Sequence, residues 1–401
     1  MQQQALDAVG DGEALDLVMA LMALPGVSGE EGVVMREIVA RLTREGLPDS
    51  AIRFDNAHRR TPLSGETGNL VVKLPAVGAG RGQPRRMLSA HTDTVPVCRG
   101  STPKRRGSVV VSADPDTGLG ADDRAGVAVL LATLVALARS GADHPPLTFL
   151  WTVQEEAGLH GARRAAIGAL GNPRLAFNFD GGSPTKLTIG ATGGYRVDIT
   201  VRGLASHAGN KPEAGVSAIG IASLAIADLI ENGWHGRVTR GRNEGTSNVG
   251  VIHGGEATNV VADRVTLRAE ARSHEPKFRA RIVREMEQAF RRAAKRTRSV
   301  GGVSGAVDFD GRLDYESFRL PADDPSVAAA RAAVEAEGGK AELAIAGGGL
   351  DANWLTARGV PTVSLGCGQR NIHTVDEQLD IGDFQLARRI ALRLATGEAH
   401  A

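Results

Sequence analysis

Glu155 and Glu156 stand side by side in Thr152-Val-Gln-Glu-Glu-Ala-Gly158, just after an apolar run at 147–153. The run is short, β-branched and aromatic, which predicts a buried strand, and Gly158 with the Ala-rich stretch after it predicts a turn into a helix. Carboxylates at the end of a strand lie where open α/β sheets hold their ligands. Neighbours on a regular strand point to opposite faces, but past its end both can turn into one crevice, one to bind a metal and the other to handle a proton. His91, Asp122, Asp180 and His373 occupy the same kind of position, just past a strand or in a Gly-rich turn. With Glu156 they make five nitrogen and oxygen donors and no thiolate, a set that suits zinc, manganese or cobalt. Five groups exceed what one tetrahedral zinc needs and suit two ions sharing a bridging carboxylate. Asp93 lies two residues after His91, placed to accept a hydrogen bond from that imidazole and so fix its tautomer.

The segments that must position these groups alternate between strand and helix patterns. Residues 13–24 are apolar at helical spacing. Ser28 with Glu31 predicts a capping box for the next helix, whose buried face would include Val34, Ile38 and Leu42. Strands are expected at 69–74, 86–90, 108–112, 147–153 and 174–179, with helices at 127–139 and 162–170. That alternation predicts a three-layer α/β domain with a mixed sheet. The character changes near Gly190. Residues 195–202 alternate like a half-buried strand, 216–232 form a long amphipathic helix, 248–253 and 260–271 are strands, and 276–296 is a basic amphipathic helix. Strands with one exposed face and two helices predict a small α+β sandwich ending near Gly311. Helices at 326–337, 351–358 and 381–394, with strands at 343–346 and 361–365, then resume the first pattern. The expected organisation is an α/β domain of residues 1–190 and 312–401, interrupted by an α+β lid at 191–311.

The chain of 401 residues is long enough for two domains. Its 47 basic and 46 acidic side chains leave a formal net charge of +1, so no global field points to nucleic acid or a membrane surface. The local basic stretch 99–106 reads as a solvated loop. The longest apolar run, 126–138, is too short to span a bilayer, and the opening Met1-Gln-Gln-Gln-Ala-Leu-Asp lacks the charged and apolar regions of a signal peptide. Cys98 and Cys367 make no disulfide framework and fit a reducing compartment. Cys367, after a buried strand, reads as a small core residue rather than a nucleophile. The expectation is a cytoplasmic protein.

His91-Thr-Asp93, Gly120-Ala-Asp-Asp-Arg-Ala-Gly126, Glu155-Glu156, Phe179-Asp-Gly-Gly182 and Ile372-His-Thr-Val-Asp-Glu377 together resemble the five metal-site motifs of the co-catalytic zinc exopeptidases. That family includes peptidase T, carboxypeptidase G and aminoacylase. The resemblance spans nearly the whole chain, in order, with a lid insertion in the right place. It implies that Asp122 bridges two divalent ions, zinc ahead of cobalt or manganese. His91 and Asp180 would complete one site, and Glu156 and His373 the other. It makes Glu155 the general base, counts Asp93 with the catalytic residues, implies a cis peptide after Asp122, and places Arg124 where the family usually has Lys. In the lid, Ala205-Ser-His-Ala-Gly209 implies that His207 polarises the substrate carbonyl. Asn259 and Arg272 would hold the substrate, the arginine gripping a carboxylate bidentately, and Gly348 would form part of the pocket's backbone wall. The implied activity is hydrolysis of short peptides by a peptidase T-like aminopeptidase, tripeptidase or dipeptidase, with room for a homodimer through the lid. Within the family, Asp at position 180 goes with aminopeptidases and dipeptidases, and Glu with carboxypeptidases and deacylases. The alternative is an amidohydrolase acting on N-acyl amino acids. A metal-stabilised binding protein is the more remote reading, since it would have no use for an unliganded Glu155.

Overall fold

A computed structural model of the chain describes residues 8–397; the opening heptapeptide, considered above for targeting signals, lies outside the described residues. Up to the end of the first α/β stretch the chain forms helices α1 (Asp11–Met22), α2 (Gly32–Arg44), α3 (Ala121–Ser140) and α4 (His160–Arg164). It forms strands β1 (Ile52–Phe54), β2 (Leu70–Leu74), β3 (Arg86–His91), β4 (Pro103–Arg106), β5 (Val109–Ser112), β6 (Leu147–Thr152), β7 (Leu175–Phe179) and β8 (Lys186–Ala191). Then come β9 (Gly193–Arg202), α5 (Ala218–Glu231), β10 (Gly236–Arg240), β11 (Asn243–Gly254), β12 (Arg264–Ser273), α6 (Pro276–Arg296) and β13 (Ala306–Tyr315). The chain closes with β14 (Phe318–Arg319), α7 (Pro325–Ala336), β15 (Glu342–Ala346), α8 (Asp351–Ala357), β16 (Thr362–Leu365), β17 (Gln369–Arg370), β18 (Gln378–Asp380) and α9 (Ile381–Thr396).

Two compact units result. One holds the chain up to Gly190, Phe318–Ala346 and the chain from Leu350; the other holds Ala191–Ser317 with Gly347–Gly349. The first unit is built on a mixed sheet of order β1-β2-β6-β3-β7-β16-β8-β14, with β15 paired to β8. Its inner strands β6, β3, β7 and β16 are parallel, while β2 and β8 run against their neighbours. Alternation along the strands sends Val71, Met87, Leu150 and Ala176 to one face, where they pack with Ala162 and Leu355 of α4 and α8. On the other face α3 lies against β3 and β7 and is covered by α1 and α9. Sheet and helices therefore enclose α3, and every residue from Ala121 to Leu137 is buried, as an all-round apolar helix requires. The result is three layers around one core. Among the described residues no helix is long and apolar enough to cross a membrane.

Three local expectations for this unit are corrected. The capping box does not form: Ser28 Oγ donates to Asp93 Oδ2 (2.6 Å), and Glu31 Oε1 accepts from the amides of Gly29 and Gln154 (2.9 and 3.0 Å). Val34, Ile38 and Leu42 are nonetheless buried. The expected helix at 162–170 is the short α4 followed by a 3-10 turn, because Ala165 adopts an extended ψ of 141°. Part of the basic loop is strand β4, which pairs with β5 in a small sheet of order β17-β18-β5-β4 and keeps Lys104, Arg105 and Arg106 exposed.

The second unit is an antiparallel sheet of order β10-β11-β12-β9-β13. Val197, Ile199 and Val201 of β9 face Ile221 and Leu229 of α5 and Ile282, Met286 and Phe290 of α6. The opposite face of β9 and β13 carries the pairs Arg196–Asp314, Arg202–Asp308 and Arg312–Asp198, the one-side-dry pattern that period 2 predicts. The unit reaches Ser317 rather than stopping near residue 311, because β13 stays paired to β9 through Tyr315 and Gly311 sits mid-strand opposite Val197. Strand β12 begins at Arg264, not at 260: Val261 N donates to Ser206 O (2.9 Å) and Ala218 N to Ala262 O (2.7 Å), tying that segment to neighbouring turns.

Candidate metal centre

Three adjacent parallel strands end at one edge of the first unit's sheet. β3 ends at His91, β7 leads into Asp180, and β6 leads through Val153 and Gln154 into Glu155 and Glu156. Asp122 comes from the turn that opens α3, and His373 from the turn between β17 and β18. The carboxylate of Asp122 lies between the two imidazoles. Its Oδ1 is 3.1 Å from His91 Nε2, and its Oδ2 is 3.2 Å from His373 Nε2. His373 Nε2 is also 2.9 Å from Glu156 Oε2. Donor atoms of His91, Asp122 and Asp180 all lie within 4.8 Å of one another, and so do those of Asp122, Glu156 and His373. Two triads of nitrogen and oxygen donors thus share one carboxylate, a donor set that fits two borderline divalent ions. The thiols take no part: Cys98 Sγ points to Glu377 Oε2 (3.4 Å) and Cys367 Sγ to Asp123 Oδ1 (3.5 Å).

Asp93 faces the His91 imidazole and also does more than the sequence leads one to expect. His91 Nδ1 meets the Asp93 carbonyl oxygen at 3.1 Å and its carboxylate only at 3.5 Å. The carboxylate also accepts the consecutive amides of Glu155 (2.9 Å) and Glu156 (3.1 Å) together with the Ser28 hydroxyl. Gln154, at a left-handed φ of 56°, makes the turn that aims both amides the same way. This is how adjacent glutamates come to serve one crevice.

Two further carboxylates hold the α3 turn. Glu377, 1% exposed, accepts the amide of Gly120 on Oε2 (2.7 Å) and that of Asp122 on Oε1 (2.9 Å). Asp123 follows Asp122 through a cis peptide. It accepts the amides of Gly126 (3.0 Å) and His91 (3.1 Å) and the Gln369 side-chain amide (2.8 Å). The contact to Gly126 caps the helix as an N-cap carboxylate does. Glycine is required there, since a Cβ on Gly126 would lie 2.1 Å from Phe179 O. Asp123 and Glu377 lie within the sequence motifs, but nothing local marks these roles. The same holds for Asp351, buried in α8 and accepting from Thr152 Oγ1. Only long-range pairing reveals these partners.

Crowded carboxylates in a buried site shift one another. Burial pushes Glu155 well above its usual range; His91 opposes the rise, while Asp180, Asp351 and Glu156 add to it. Burial, then the charge of Asp122, lifts Asp180 to about 7. Hydrogen bonds to Asp122 and Glu156 raise His373 to about 10. Burial works against the charge on His91, but its bonds to Asp122 and Asp93 carry it well above the ordinary imidazole value. The protons so held on Asp180, His91 and His373 are those that a divalent ion would displace.

The candidate residues of the lid all fall in the second unit. His207 is exposed, and its Nδ1 accepts the amides of Gly209 and Asn210, both at 3.1 Å. Asn259 is exposed nearby, its carbonyl accepting from Ala208 N (2.9 Å). Arg272, expected to be open to a ligand carboxylate, already holds the carboxylate of Glu270 by Nε (2.9 Å) and Nη2 (3.1 Å). Gly348 lies in the turn Gly347–Gly349, with open space where a side chain would stand.

Two outcomes follow from this geometry. Glu377→Ala frees both amides of the α3 turn and should weaken divalent-metal binding by about 10–100-fold, read with zinc as the probe ion by titration with a competing chelator while circular dichroism stays unchanged. Zinc affinity should also rise with pH through about 7, where Asp180 gives up its proton, with protons released on binding; calorimetry at pH 6 and pH 8 in buffers of different ionisation enthalpy checks the sign.

The family model of Peptidase family M20/M25/M40 matches residues 87–397, from β3 to just past α9. Uncharacterized protein YqjE of Bacillus subtilis (strain 168) is 34% identical over 300 residues, 74% of this chain and 76% of that protein. Among solved structures, aminopeptidase PepT from Bacillus cereus ATCC 10987 aligns with a TM-score of 0.86 at 30% identity, over 98% of this chain and 100% of that one. A tripeptidase from Staphylococcus aureus subsp. aureus mu50 aligns at 0.87 and 29% identity, over 98% and 99%. With so much of its length carrying one family pattern, the chain belongs to Peptidase family M20/M25/M40 and is a hydrolase of the metallopeptidase kind.

Proposed function

We propose that the protein is a two-metal exopeptidase that cleaves short peptides bearing a free amino terminus, as an aminopeptidase or tripeptidase. The observation that carries this reading is the pair of donor triads sharing Asp122, with the buried and uncommitted Glu155 beside them. Similarity to an aminopeptidase and a tripeptidase over nearly the whole chain supports the substrate class, as does Asp rather than Glu at position 180.

In this reading His91, Asp122 and Asp180 hold one ion, and Asp122, Glu156 and His373 the other, with zinc the first choice for such donors. Two ions bound there supply an acidified water and polarisation of the scissile carbonyl. Glu155, its carboxyl raised by burial, takes the water's proton and delivers it to the leaving amine. Asp93 keeps Glu155 in place through its amide. His207 donates to the developing oxyanion: its Nδ1 is occupied as an acceptor, so the proton of the neutral ring sits on Nε2 and is free to be given. Asn259 and Arg272 hold the peptide, and Gly348 lines its path.

Two copies pair through the second unit in the same reading. β10 covers β11 only as far as Ser247 and Val249 N donates to His235 Nε2 (3.3 Å), leaving the outer edge of 250–254 open, and Ile219, Ile230 and Ile252 are exposed. Free Cys98 and Cys367 fit a reducing cytoplasm.

Glu155→Gln keeps the shape and removes the base, so kcat should fall by roughly 10²–10⁴ while metal analysis still finds two ions per chain. Loss of metal in that variant, with retention in Glu156→Gln, would reverse the two roles. On substrates, di- and tripeptides with free amines should be turned over faster than the matching N-acetylated amino acids and peptides. The opposite order would make the protein a deacylase.

A further inference from the structure

A second set of polar groups with unused hydrogen-bonding capacity lies wholly within the second unit. Arg272 of β12 and Tyr315 of β13 both stand opposite Gly194 of the intervening β9. The glycine leaves room for the tyrosine ring, since a Cβ on Gly194 would lie 2.8 Å from it. A Cβ on Gly349 would also come within 2.8 Å of the ring, so Tyr315 rests against the Gly347–Gly349 turn as well. Tyr315 is only 6% exposed, and its hydroxyl bonds to none of the described residues. Burial raises its phenol and the charge of Arg272 pulls it back, so the hydroxyl keeps its proton at neutral pH.

Arg272 is held on one edge only. Nε and Nη2 donate to the two oxygens of Glu270 at 2.9 and 3.1 Å. A guanidinium carries five N–H donors in a planar fork with a second edge at its end, and Nη1 on that end bonds to none of the described residues.

We propose that Glu270 and Tyr315 complete a carboxylate subsite around Arg272. Glu270 is a positioning residue: it grips the guanidinium from the side and presents the end-on edge to the carboxylate of a bound peptide. Tyr315 Oη donates to the same carboxylate. Because the Arg272–Glu270 pair cancels much of its own charge, recognition rests on directed hydrogen bonds rather than on a long-range field. A fork already held on one edge also loses less side-chain freedom when ligand binds. This extends the peptidase reading above and depends on its assignment of Arg272.

The test is kcat/KM for one tripeptide and for its C-terminal amide, in the wild type, Arg272→Ala, Glu270→Gln and Tyr315→Phe. The last two keep side-chain shape and remove one oxygen's hydrogen-bonding role. The wild type should prefer the free acid by roughly tenfold or more, the worth of charge-assisted hydrogen bonds, and Arg272→Ala should abolish the preference. Glu270→Gln and Tyr315→Phe should each reduce it by about 3–10-fold, through KM rather than kcat. If Glu270→Gln increases the preference, Glu270 competes with substrate for Arg272 and the proposal is wrong. If neither variant moves the ratio while Arg272→Ala abolishes it, the proposal fails and the role of Arg272 stands. If the wild type shows no preference, the assignment of Arg272 fails and the subsite with it.

Discussion

The first unit must accommodate a cluster of buried carboxyl groups. Glu31, Asp93, Asp122, Asp123, Glu155, Asp351 and Glu377 are each less than a tenth exposed, and around them stand one buried guanidinium, Arg124, and the buried imidazole of His91. An ionised carboxylate taken out of water is tolerated only when hydrogen bonds or cations replace its solvation. Backbone amides meet much of that need: two to Asp93, two to Glu377 and two to Asp123. Each of these contacts also fixes a turn. The same electrostatic requirement that makes the centre suited to divalent cations therefore sets the backbone that carries its donors.

The sheet supplies the frame for this charge. Parallel strands β6, β3 and β7 end together, so residues remote in sequence emerge at one edge. The buried α3 anchors the turn holding Asp122 from the opposite side. The second unit follows another rule. Its strands are dry on the side packed by α5 and α6, and its polar face is a lattice of ion pairs such as Arg196–Asp314 and Arg272–Glu270. Exposed pairs of that kind add little stability, but they hold long side chains in set orientations, and that orientation is what matters at Arg272.

Much of this was legible in the residues. The period-3.6 and period-2 patterns depend only on near neighbours, so α6 appears over the span expected, and β3, β6, β7 and α9 appear within a residue or two. The donors His91, Asp122, Glu156, Asp180 and His373 stood out because their types and their places after strands are also local properties. The division into an α/β unit and an inserted α+β unit showed as a change of pattern near Gly190.

Tertiary structure decided which groups meet. Ser28 and Glu31 have the spacing of a capping box, yet they turn inward, because Asp93, 65 residues from Ser28, and the Gln154 amide, 123 residues from Glu31, offer buried partners. Glu377 reaches an amide 255 residues away, and β13 runs past Gly311 because β9 is there to pair with it. No local pattern encodes such contacts, since a buried polar group takes whichever partner the packed layers bring within reach. By itself the sequence determined the elements, their order and the chemical character of the donors. Packing alone decided that Asp93, besides facing the His91 imidazole, binds two amides, and that Arg272 leans on Glu270, because hydrogen-bond partners are selected by distance in space and not by spacing along the chain.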